Sequence, residues 1–178
     1  QMSDWKTNES DQALIKATWS EDFETLYLLG SKMYLQIFAQ DGTIKALFPW
    51  IAQYEKAGRD FTLETEFRTQ ALRLVTTIAK VVENLPHLKG LDAHLYKLGH
   101  RHVKYLSNAL KPLYWVAFQD AMQSVITEKM KSLTKISETD RARAIEIWKD
   151  VVVYVNNNMK AGYEDGLKGI DKYPTGMF

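Results

Sequence analysis

An all-helical fold of seven or eight helices is what this sequence predicts, and three observations predict it. Apolar residues recur at intervals of three and four along most of the 178 residues. Strictly alternating runs, the mark of half-buried strands, are essentially missing. The four prolines and nine glycines fall between the periodic stretches, not within them. The stretches are too unequal in length for an even four-helix bundle. The chain shows no internal repeat or change of composition, and its length suits one domain.

Taken in order, the first helix is expected to start near Ser10, a capping residue, and to run through Trp19. The second carries Phe23, Leu26, Tyr27, Gly30, Met33, Tyr34, Ile37 and Phe38, the stripe of an amphipathic helix. Gln40-Asp41-Gly42 breaks it. A short segment, Lys45 to Phe48, ends before Pro49, and the polar stretch from Tyr54 to Asp60 reads as a loop. The clearest helix follows, with Phe67, Ala71, Leu74, Val75, Ile78, Val82 and Leu85 on one face and Pro86 as its stop. After Lys89-Gly90 a shorter helix aligns Leu91, Leu95 and Leu98, and Gly99 precedes His100-Arg101-His102. Pro112 suits the first turn of the next helix, with Leu113, Val116, Ala117, Met122, Val125 and Ile126 as its stripe. Ser137 and Asp140 at capping-box spacing open the last, striped by Ala144, Ile147, Trp148, Val151, Tyr154, Val155 and Met159. Gly162 and Gly166 fall near its end, and the tail from Lys168 reads as an irregular arm.

Composition closes off several chemistries. Without cysteine there is no disulfide, thiol nucleophile or thiolate metal site. A net charge of +1 gives no general attraction to nucleic acid or anionic membranes. The longest apolar run, Val151 to Val155, is far short of the roughly 20 residues of a membrane span. No basic-then-apolar leader opens the sequence, so the expected location is cytoplasmic. Phosphate loops, nucleophile elbows and His/Ser/Asp constellations are lacking too, so an enzyme working through side chains alone is not expected.

The four histidines, His87, His94, His100 and His102, crowd into one stretch. At about 100° per residue, Leu91, Leu95, Leu98 and His102 fall within roughly 60° of one another, and His100 points about 160° away, toward solvent. Two histidines so disposed cannot share one ion on a regular helix, which argues against zinc. His102 therefore reads either as a structural imidazole bonded to a neighbouring carbonyl or as a single axial ligand to a haem iron. Gln70 sits at the edge of an otherwise apolar face, and Tyr34 lies inside another stripe. Both suit a core boundary as well as a site. Arg68 and Arg73 look solvated.

From Leu14 to Met159 the order of motifs resembles the globin family. Trp19 looks like the tryptophan of the first globin helix. Phe38 followed by Phe48-Pro49 looks like the second helix and the phenylalanine that wedges against haem. Gln70-Ala71-Leu72-Arg73-Leu74 looks like the haem-facing run of the distal helix. Val81-Val82-Glu83-Asn84-Leu85, and Leu98-Gly99 before His102, are similar to the neuroglobin and cytoglobin branch and to many invertebrate globins. Pro112-Leu113-Tyr114 resembles the start of the following globin helix.

The resemblance implies a globin domain over residues 11–167 with arms at 1–10 and 168–178. It implies haem b, with His102 as proximal iron ligand and a carbonyl near Leu98 holding its other N–H. Phe48 would stack on the porphyrin, Leu74 would close the pocket, Arg73 would reach a propionate, and Tyr34 and Gln70 would stand on the distal side. Thr69 is the alternative if the register shifts by one. The implied ligands are O2, CO or NO, and the implied role is oxygen binding or transport without catalysis. Two departures stand out. No histidine occurs between residues 61 and 80, so the usual distal ligand is missing, and the connection from His102 to Pro112 is longer than usual. The implied state has an open sixth position. A six-coordinate redox or sensing globin and a cofactor-free interaction domain are the alternatives. Trp5, Trp50 and Trp115 are scattered candidates for exposed apolar surface, and the arms read as disordered ends or partner contacts.

Overall fold

The computed structural model describes residues 5–174. Seven α-helices and three 3-10 turns account for nearly all of them: α1 (Glu9–Thr18), α2 (Phe23–Gln40), α3 (Pro49–Lys56), α4 (Thr65–Glu83), α5 (Leu88–Leu106), α6 (Pro112–Ser132) and α7 (Glu138–Leu167). The turns lie at Gly42–Leu47, Phe61–Leu63 and Leu85–His87.

Side-chain caps set several boundaries. The Asn8 carboxamide oxygen accepts from the Asp11 amide at 2.7 Å, so α1 begins earlier than a cap at Ser10 would put it. Asp22 accepts from the Thr25 amide at 2.9 Å to open α2, and Ser137 accepts from the Asp140 amide at 3.1 Å to open α7. Pro49 does more than end a segment. Its fixed φ and missing N–H suit a first helical turn, and the helix it starts absorbs Tyr54 to Lys56, which polarity alone reads as loop.

α5 also departs from expectation. It runs unbroken through Gly99 and His102 to Leu106. Gly99 is needed there for packing: a Cβ on it would lie 1.9 Å from the Met159 carbonyl oxygen of α7. Gly162 answers from α7, where a Cβ would lie 1.9 Å from the Tyr96 carbonyl oxygen. The two helices thus cross backbone to backbone. A similar crossing joins α2 to α4, where a Cβ on Gly30 would lie 2.4 Å from the Ala71 carbonyl oxygen.

α5 packs along α7. α6 packs on α7 and α2, and α2 packs on α4. α4 and α5, although consecutive, do not pack along each other. The buried side chains divide accordingly into two clusters. One gathers Ile15, Met33, Val75, Leu95 and Trp148, and the other Tyr34, Ile37, Phe38, Phe67 and Tyr163. Leu74 on α4, Phe118 on α6 and Met159 on α7 touch both clusters, yet each is only partly buried.

The register of α6 differs from its expected stripe. Leu113 and Val116 are exposed, and Tyr114 and Trp115 turn inward. A bond of 3.0 Å between the hydroxyls of Tyr114 and Thr43 accompanies that turn. Trp115 is therefore a core residue, not surface. Trp50 is half-buried, and Trp5 stacks on Tyr154 with ring centres 4.7 Å apart.

Candidate functional site

His102 sits about four turns into α5, on the face set by Leu91, Leu95 and Leu98, and is half-buried. Its Nδ1 lies 2.7 Å from the Leu98 carbonyl oxygen, one helical turn earlier. A carbonyl only accepts, so that contact places the proton on Nδ1 and leaves the Nε2 lone pair available. Nε2 has no hydrogen-bond partner among the described residues. An imidazole held in this way has the donor chemistry of an axial iron ligand.

A second group of predicted residues comes together on α2 and α4. The Gln70 amide nitrogen donates to the Tyr34 hydroxyl oxygen at 2.9 Å. The phenol's own proton is not used in that bond, so Tyr34 keeps a donor to offer. Burial pushes its pKa up to about 12, against the lowering effects of the Gln70 hydrogen bond and the nearby Arg73 charge. At neutral pH Tyr34 is therefore a protonated donor in an apolar setting, which strengthens any hydrogen bond it makes.

Phe48 meets Tyr34 and Phe38 edge-on, with ring centres 5.8 Å apart in both pairs. Leu74 is one of the three side chains between the two core clusters. Arg73 is exposed, close enough to act electrostatically on Tyr34 but without an ion pair among the described residues. Thr69 is exposed, and the bond to Tyr34 is made from Gln70.

The raised Tyr34 pKa has a consequence for pH. Below about 10 the phenol is neutral in folded and unfolded chains alike. Between about 10 and 12 only the unfolded chain releases the proton, so stability present below this range is lost as pH rises through it. Spectroscopic titration of tyrosinate should show a late-ionising class of tyrosines, and Tyr34→Phe should remove one member of it.

Two placements were not foreseen. His100 does not face open solvent. It is half-buried, and its Nε2 lies 3.0 Å from the Ile170 carbonyl, because the chain after α7 folds back over α5. Phe118 is the other. The inward expectation for Val116 shifts the α6 stripe and hides Phe118 from periodicity alone, although its place one turn after Tyr114 marks the same face.

The helical fold thus holds an α2–α4 crossing through glycine, a carbonyl-held imidazole on α5 and a Tyr34–Gln70 pair joining α2 to α4. The globin family model matches residues 31–155, and the chain belongs to that family. Among solved structures it resembles a chain described as a hexacoordinated heme protein from an anhydrobiotic tardigrade, with a TM-score of 0.67 and 16% identity. The match covers 89% of this chain and 96% of that one. No curated protein matches the sequence. Among the described residues no helix is long and apolar enough to cross a membrane.

Proposed function

We propose that residues 11–167 bind haem b and that the protein reversibly takes up a diatomic gas, O2, CO or NO. The observation that carries this reading is the His102 imidazole, fixed by the Leu98 carbonyl with Nε2 left as a ligand atom. When bound, haem would supply an iron able to coordinate such a gas. The protein's part is to hold the imidazole tautomer, to keep an apolar surround through Phe48, Leu74, Phe118 and Met159, and to present a donor from Tyr34. Gln70 polarises that donor. Arg73, exposed beside this pair, is the cation available to a haem propionate.

The absence of a histidine on α4 favours an open sixth position over internal six-coordination. A gas-binding role needs no nucleophile or proton relay, and we propose none.

The visible absorption spectrum of reduced protein under argon, before and after CO, tests the reading. A broad five-coordinate band that sharpens with CO is expected. A split six-coordinate band before CO would point to a redox globin, and a colourless protein that refuses added haem would leave a cofactor-free interaction domain. Tyr34→Phe and Gln70→Leu should each speed oxygen release about tenfold to a hundredfold, the equivalent of about 1.5–3 kcal/mol for a charge-assisted hydrogen bond. Stopped-flow displacement by CO measures it, and unchanged release in both variants would remove the pair from the site.

A further inference from the structure

The chain beyond α7 builds a definite structure on the back of α5. Gly169 takes a left-handed φ of +71° at the end of α7. The Ile170 amide then donates to the Asp165 carbonyl at 2.9 Å and the Gly169 amide to the Gly166 carbonyl at 3.2 Å, the paired bonds of a Schellman reversal. That reversal sends residues 170–173 across α5. There the Ile170 carbonyl accepts from His100 at 3.0 Å, and the Lys172 amide donates to the Tyr96 hydroxyl at 3.1 Å. Tyr96 donates in turn to the Asp165 carboxylate at 2.5 Å, and the Tyr173 ring stands edge-on to the Tyr96 ring at 5.2 Å. Gly166 lets the crossing close, since a Cβ there would lie 2.8 Å from the Val103 side chain and 3.3 Å from the His100 ring. The first turn of α5 is tied separately. Tyr154, stacked under Trp5, donates to the Asp92 carboxylate and lies 3.3 Å from the Leu88 carbonyl oxygen.

We propose that residues 168–173 are a strap that positions α5, and with it His102, so that drawing the strap away retunes the bond His102 makes to a bound cofactor. Tyr96 and His100 are the positioning residues. They lie six and two residues before His102 and touch the strap on the side of the helix away from it. The argument is mechanical. On its inner side α5 meets α7 backbone to backbone at Gly99 and Gly162, leaving no compliant side chain there to absorb movement. The strap closes on Tyr96 and His100 beside that crossing, so its hold acts on the position of the whole rigid helix. The inference rests on His102 as the cofactor ligand.

The test uses the full-length chain with Gly169→Val, Gly169→Asn and Tyr96→Phe. A Cβ at Gly169 meets nothing within 4 Å, so these residue 169 changes act on backbone conformation and not on packing. A β-branched residue opposes the left-handed φ by enough to loosen the strap about tenfold, whereas asparagine tolerates it. In the cofactor-free chain, amide exchange over residues 96–106 should quicken about tenfold in Gly169→Val and Tyr96→Phe and stay native in Gly169→Asn. In the haem-loaded ferrous protein, the iron–histidine stretching band should shift and broaden in the same two variants only. Fast exchange at residues 168–173 with α5 protection and the band both unchanged would overturn the proposal. A chain that takes up no haem overturns the proposed function and the cofactor half of this inference, and the exchange measurement still decides whether the strap positions α5.

Discussion

Gly162→Ala is expected to lower the unfolding free energy by about 3 kcal/mol or more, at the upper end of overpacking costs. The sign is diagnostic, because alanine in a helix interior is ordinarily favoured over glycine by about 1 kcal/mol. Here the added carbon would lie 1.9 Å from the Tyr96 carbonyl oxygen, 2.7 Å from its carbonyl carbon and 3.0 Å from the His100 amide nitrogen. All three are backbone atoms of α5, so no rotamer change relieves the overlap. Either α5 moves off by more than an ångström or α7 bends. Gly99→Ala meets the Met159 backbone of α7 in the same way and should behave alike. Urea unfolding followed by circular dichroism measures the loss. An alanine variant as stable as the native chain would show that α5 and α7 do not cross this closely.

His102→Ala should leave the fold in place and abolish tight haem retention. His102 is half-buried and its one protein hydrogen bond is to its own helix, so removing it disturbs little packing. Alanine is also the better helix former. If Nε2 is the axial donor, its loss should weaken retention by more than the 10–100-fold, roughly, that follows from altering groups behind a metal ligand. Transfer of haem to an acceptor globin gives the rate, and added imidazole should restore part of the native spectrum. Retention equal to the native chain's would assign the ligand to another residue. His94 and His100 are then the histidines to replace next.

How far the sequence disclosed this arrangement depends on whether a feature is local. The capping box at Ser137 and the stripe of α4 are encoded within a few residues of where they act, and both are legible. The globin family is legible for a related reason: Phe48, Gln70 and His102 follow one another in an order that resembles that of globins. What escaped was decided across the fold. Gly99 looks like a helix end until Met159 of α7 is placed against it. Trp115 looks like surface until the start of α6 fixes its register. His100 faces water by helical geometry alone, and only the turn at Gly169, seventy residues away, covers it. Residues 168–174 form no regular helix or strand, in line with the irregular arm expected from residue 168. Its hydrogen bonds to Tyr96 and His100 could not be read from composition.

A haem bound where the two clusters meet would tie the amount of folded protein to cofactor supply. Leu74, Phe118 and Met159 pack against both clusters, and each keeps part of its surface exposed. Such a ligand would bind only the folded chain. At a free concentration a hundred times its Kd it adds about 2.7 kcal/mol of stability. Native domains typically hold only about 5–15 kcal/mol in all, so such a gain is a large fraction of the total. Chains made when haem is scarce would then be unfolded and degraded more often than chains made when it is plentiful. Protein abundance would follow cofactor supply without any change in synthesis.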